Sequence, residues 1–136
     1  MTERIHATAK IDVQTYEPQP YDANGDGPDL IEIHVTEQFS GDIEGEGVVR
    51  FLQAMRADGT ATFVGIERVR GRIGDRAGTF LLQDSGTADS RTVEGSWFVV
   101  PGSGTGELAG LRGEGGFVAE IGKSAAVTLD YWFDPR

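Results

Sequence analysis

The sequence predicts an all-β protein: a single domain over residues 1–136 built as an eight-stranded antiparallel up-and-down barrel. Three observations carry that reading. Twenty glycines punctuate runs rich in Val, Ile, Phe, Thr, Trp and Tyr, which marks them as turns between strands. The turn signals recur at intervals of roughly 15 residues, the spacing of long strands in a meander. An even-numbered open meander leaves two unpaired edges, and closing it on itself removes both. A two-sheet sandwich accommodates the same strands and is the competing architecture.

Turns are expected at Asn24-Gly25-Asp26-Gly27, Ser40-Gly41-Asp42, Asp58-Gly59, Gly71 to Gly74, Ser85-Gly86, Pro101 to Gly106 and Gly122-Lys123. They delimit strands near residues 3–16, 30–40, 45–56, 60–72, 77–86, 91–100, 111–120 and 124–133. Only Glu107-Leu108-Ala109-Gly110 offers a helical turn, and it is too short to cover a sheet.

A chain of 136 residues with 38% hydrophobic residues can bury one core without staples. It contains no cysteine, which removes disulfides, thiol nucleophiles and thiolate metal sites and fits a reducing, cytoplasmic setting. Residues 1–13 alternate polar and apolar side chains, so no signal peptide is expected there, and no run approaches membrane-spanning length. A formal charge of −10 repels phosphate backbones and anionic lipids, so neither nucleic acid nor membrane is an expected partner. Val64 and Ile66 alternate with Phe63 and Glu67, giving strand four apolar groups on both faces, and a homo-oligomer, dimer or trimer, is expected.

Several motifs are weaker than they look. Asp22 to Gly27 opens like a calcium loop, but the twelfth position is Ile33, Glu32 is one place early, and no helices flank it. Gly102-Ser103-Gly104-Thr105-Gly106 lacks the lysine and the following helix of a phosphate loop. His6 and His34 are the only histidines, too few for a three-histidine metal site, and neither accompanies a serine in a nucleophile-elbow context. No metal and no cofactor is therefore expected.

Carboxylates interrupting apolar faces are more informative. With a period of two, Glu37 shares a face with Ile31, Ile33, Val35 and Phe39; Glu67 with Phe63, Gly65 and Val69; Asp84 with Phe80 and Leu82. A carboxyl desolvated on such a face has its pKa raised and can exchange a proton near neutrality. Glu67, Asp84 and Glu37 are thus the candidate catalytic residues, and Phe63, Phe80, Trp97 and Tyr131 the candidate ligand-binding residues of an apolar interior. The alternative is that each carboxylate pairs with an arginine such as Arg68, Arg70 or Arg112, or sits in water at a barrel mouth. Arg112 and Glu114 share a strand face and are expected to form an ion pair.

The segments Phe39 to Gly47, Phe63 to Gly71 and Val99 to Gly115 resemble the domain-of-unknown-function family 3224 (DUF3224) across nearly the whole chain. That family is similar in fold to the allene oxide cyclase and dirigent barrels, whose Gly-Thr-Gly and Ala-Arg-Gly segment corresponds to Gly104-Thr105-Gly106 and Leu111-Arg112-Gly113, with leucine in place of alanine. The resemblance implies an eight-stranded, often oligomeric barrel with an interior pocket in which reactive intermediates are steered. Glu67 lies in the matching Gly-Ile-Glu-Arg-Val segment and is the first choice for the acid, base or cation-stabilising group. Where the family tends to have histidine before Ser-Gly-Thr, this chain has Asp84. A small, largely apolar organic ligand is the expected partner, either turned over by a cofactor-independent isomerase, cyclase or lyase or merely carried. A filled barrel serving an oligomeric or protein-binding role is the third reading.

Overall fold

Glycine-rich turns divide the chain into eight strands that pair in chain order, and the last pairs with the first. The computed structural model describes residues 3–135. The strands are β1 (Ile5–Asp22), β2 (Asp29–Gly41), β3 (Ile43–Met55), β4 (Ala61–Ile73), β5 (Arg76–Ala88), β6 (Thr92–Val99), β7 (Leu111–Glu120) and β8 (Ala125–Phe133). All neighbours are antiparallel, and β1 meets β8 from Ile5↔Tyr131 to Ile11↔Ala125, so the sheet is a closed barrel rather than a sandwich.

Closure gives every strand one inward and one outward face, and the alternation is visible in burial. Along β4, Ala61, Phe63, Glu67, Val69 and Ile73 are buried, while Thr62, Val64, Ile66, Arg68, Arg70 and Arg72 are exposed. The inward set forms two apolar clusters: a large one including Phe39, Val69, Phe80, Leu129 and Tyr131, and a smaller one of Ile33, Val35 and Val49.

The two ends differ. At the lower end, where β2 turns into β3, β4 into β5 and β6 into β7, Ile43, Ile73, Leu108 and Leu111 are fully buried and plug the barrel. At the upper end the inward side chains Ile31, Gln53, Met55 and Phe117 are only half-buried. The barrel is sealed below and less tightly covered at its upper rim.

Four local features depart from the sequence expectation. Strand β1 runs six residues past 16, through Pro18 and Pro20 to Asp22; beyond Ile11 it has no pairing to β8 and forms one arm of a long β1–β2 ribbon. Proline's missing amide is tolerated there because only one edge of β1 is paired. Ser85-Gly86 is not a turn: both residues lie in the β5–β6 ladder, opposite Ser96 and Gly95, and the chain turns at Asp89, whose carboxylate accepts from the amides of Arg91 and Thr92. Strand β3 begins at Ile43 rather than 45, so the β2–β3 turn is tight.

The fourth departure concerns the glycine-rich segment after β6. Because β6 has only eight residues, the lower part of β5, paired with β4 on one side, lacks a strand neighbour on the other. The segment fills that gap. Thr105 accepts from the Thr79 amide and its own amide donates to the Thr79 carbonyl, Ser103 Oγ accepts from Leu81, and Glu107 accepts from Ala77. A 3-10 turn at Gly106–Leu108 then drops Leu108 into the plug. Gly78 is required opposite it, since a side chain there would overlap the Thr105 carbonyl.

Candidate functional site

Strand parity delivers three carboxyl groups into the interior: Glu37 on β2, Glu67 on β4 and Asp84 on β5, at 8%, 0% and 2% exposure. They converge because small residues stand opposite them. Glu37 pairs in register with Gly47, and Asp84 with Gly65. The Glu67 side chain passes over Gly47, so that a methyl group there would overlap Oε2. The glycine thereby opens the path along which Glu67 and Glu37 approach each other.

No donor reaches either oxygen of Glu67 or Oδ1 of Asp84. The polar group that couples to Glu67 is the Glu37 carboxyl, itself an acceptor unless one of the two holds a proton. Burial raises Glu67 well above the ordinary carboxylate range, and the shared proton and the charges of Glu37 and Asp84 push it further. Asp84 is pushed up to about 8, chiefly by burial and then by the charge of Glu37. Glu37 is also raised by burial, against which the hydrogen bond from Glu67 works. At neutral pH the cluster therefore holds protons, with Glu67 donating to Glu37.

Above the carboxyls lies a run of aromatic rings. Phe51 meets Phe63 edge-on at 5.2 Å between centroids, Phe63 lies 6.2 Å from Phe117, and Phe117 lies 5.1 Å from Trp97. Phe39 stacks at 6.3 Å on the other side of Trp97, whose Nε1 donates to the Thr128 carbonyl at 3.0 Å. Phe51, Phe63 and Phe117 each stand in register opposite a glycine, namely Gly65, Gly86 and Gly95. Bulky side chains opposite glycine fill a narrow barrel without overlap.

The sequence profile of the family described as "Protein of unknown function (DUF3224)" matches residues 7–131. The chain belongs to the DUF3224 family. A crystal structure of a protein of unknown function from the DUF3224 family of Shewanella oneidensis MR-1 is similar to it with a TM-score of 0.83 at 33% identity, covering 98% of this chain and 100% of that one. No curated protein matches the sequence.

Within this DUF3224 barrel the sequence-predicted site residues divide. Glu37, Glu67, Asp84, Phe63 and Trp97 lie together in the interior. Phe80 and Tyr131 belong to the lower core instead: Phe80 pairs with Val69, and the Tyr131 hydroxyl lies by the Gly74 turn near Asp42, Asp75 and Arg76. Phe51, Phe117 and Gly47 were not singled out from sequence, although all three have inward parity.

Arginine does not neutralise the cluster. Arg68 and Arg70 point outward, and Arg112 pairs with Asp134 at 3.3 Å. The expected Arg112–Glu114 pair is replaced because Glu114 meets Arg4 across β8. His6 faces Asp130 and His34 faces Glu32, both outside the barrel. Among the described residues no three His, Cys, Asp or Glu side chains are disposed to hold a metal ion.

Proposed function

We propose that this DUF3224 barrel binds a small, largely apolar organic molecule through its upper end and moves a proton on it, as a cofactor-independent isomerase, cyclase or lyase of the allene oxide cyclase-like kind. Glu67 is the acid/base group, with Asp84 and Glu37 setting its proton affinity. The observation that carries the reading is the pair of Glu67 oxygens buried without a donor. A buried carboxyl whose oxygens accept no hydrogen bond and whose partner is another acid costs about 1–3 kcal/mol or more, and an apolar residue of similar size would fill the same space without that cost. Buried ionisable groups that oppose stability are a mark of a functional site. Phe51, Phe63 and Trp97 would supply an apolar wall that folds the substrate against the acid.

The test is a thermal-shift screen of small neutral olefins, epoxides and ketones, followed by product analysis for those that bind. Binding with turnover that Glu67→Gln abolishes, with the circular dichroism spectrum unchanged, is the expected result; a barrel that binds none of these classes overturns the reading.

A second reading has its own support on the outer wall. Val48, Leu52, Val64 and Ile66 line a groove of about 870 Å³ with Arg50 and Arg68, and Val64 and Ile66 are 51% and 53% exposed. An apolar strip of this kind is suited to a second copy of the chain, with the arginines facing an acidic surface. In this reading the barrel is an oligomeric module, and the test is its sedimentation as a dimer or trimer.

A further inference from the structure

The interior carries three carboxyl groups and no base. Around Glu67, β3 presents Gly47 and Val49, β6 presents Trp97 and Val99, and β8 presents Val127 and Leu129. Strand β1 adds Ala7, Ala9 and Ile11, and β7 adds Leu111, Gly113, Gly115 and Phe117. The ionisable groups facing Glu67 are Glu37 from β2 and Asp84 from β5, while the remaining inward hydroxyl, Tyr131, is at the lower end. Every described Lys and Arg lies away from the cluster, on the outer face, in a turn or at the lower rim, where Arg76 covers Phe133. Glu67, fully buried with no donor to either oxygen, therefore sits in an interior where no described Lys or Arg reaches the carboxyl cluster.

From this we infer that the ligand class matched to the site is a small organic cation, a short primary alkylammonium, whose charged head takes the place of the proton on the carboxyl cluster. The inference rests on the interior-binding part of the reading above and departs from it in giving the ligand a positive charge. The exchange balances: a neutral carboxyl and an incoming ammonium become a carboxylate–ammonium pair and one proton in solvent. Three donors on an ammonium match the acceptors that Glu37, Glu67 and Asp84 offer. The rings of Phe39 and Trp97 flank the cluster, and π faces attract a cation as well as the alkyl tail. Packing sets the size: Glu67 has no exposed surface and the rings of Phe51, Phe63 and Phe117 lie above it, so a ligand must displace these rings to reach the cluster and only a short chain is accommodated.

Isothermal titration calorimetry of the full chain with n-butylammonium, n-butanol and butyrate, at neutral pH in two buffers of different ionisation enthalpy, tests this. Butylammonium is expected to bind at least about tenfold more tightly than butanol, with release of about one proton, and butyrate not at all. Glu67→Gln and Asp84→Asn should each collapse the advantage of butylammonium over butanol; either variant suffices should the other fail to fold. Butanol binding as tightly as butylammonium without proton release overturns the cation inference and leaves interior binding standing. Binding of neither overturns both. Butylammonium binding that is unchanged in both variants marks attachment to the acidic outer surface and overturns the inference.

Discussion

Gly47 lies so close to the carboxyl of Glu67 that one added methyl group would overlap Oε2 and press on the ring of Phe39. Gly47→Ala should therefore destabilise the barrel by about 1–3 kcal/mol, the usual effect of overpacking a filled core. Shortening the other partner should relieve it. In a urea double-mutant cycle, Gly47→Ala combined with Glu67→Ala is expected to cost less than the sum of the two single changes. Strict additivity would mean that the two positions do not compete for one space.

The carboxyl cluster makes stability depend on pH in a definite direction. Asp84 titrates near 8 and Glu67 well above the ordinary carboxylate range. Between that ordinary range and about 8 the native state keeps protons that the unfolded chain has released. Stability should thus fall as pH rises through this window, by up to about 1.4 kcal/mol per pH unit for each retained proton, and level off only where Asp84 and Glu67 have both ionised in the folded state. Asp58 and Asp89, lowered by hydrogen bonds in the turns they close, act oppositely and withdraw support as the medium becomes strongly acidic. Urea midpoints across the pH range should accordingly peak under mildly acidic conditions, and a midpoint rising from there to mild alkali would contradict the assignment.

Removing the ionisable group should reverse the loss. Glu67→Gln keeps the shape and cannot ionise, so its stability is expected to exceed that of the parent in mild alkali and to fall less steeply with pH. Infrared difference spectra offer an independent check: the parent at neutral pH should show the carbonyl band of un-ionised carboxyl groups, diminished in Glu67→Gln. Identical spectra would indicate that Glu67 is ionised.

Truncating the aromatic layer has a separate signature. Phe63 is buried between Phe51 and Phe117 and stands opposite Gly86, which offers no side chain to close the gap. Phe63→Ala should cost about 3–5 kcal/mol in chemical denaturation. A loss below 1 kcal/mol, small for so large a truncation, would show that the layer is loosely packed.

On the outer wall, Ile66→Lys adds charge to the middle of the exposed apolar strip without touching the interior. If copies associate there, sedimentation velocity should show the assembly dissociating while the melting curve of the protomer is retained. An assembly that persists would place the contact elsewhere.

Much of this arrangement is legible in the sequence because a strand has only two faces. Parity alone sends Glu37, Glu67 and Asp84 inward with their apolar neighbours, and it also sends Arg68 and Arg70 to the opposite face from Glu67. Partnership across the barrel is a different matter. It depends on how far each strand is staggered against the next, which is why Phe80 and Tyr131 share inward parity with the site yet end in the lower core. Parity likewise cannot say that Glu114 meets Arg4 rather than Arg112, since that contact crosses β8. The extent of β1 past residue 16 is not legible because it passes through Pro18 and Pro20, a residue type that is disfavoured in strands but accommodated where the strand has a single neighbour.

Those two prolines have a further consequence. Beyond Ile11, β1 leaves the seam with β8, and its far edge from Asp12 to Asp22 is the kind of bare ladder on which foreign strands can grow. Pro18 and Pro20 delete two amide donors along it, and the register slips between Val13 and Thr15 and between Pro20 and Asp22 break its straightness. The free edge of β1 is thereby a poor template: it can remain uncovered in a concentrated solution without recruiting its neighbours into a growing sheet.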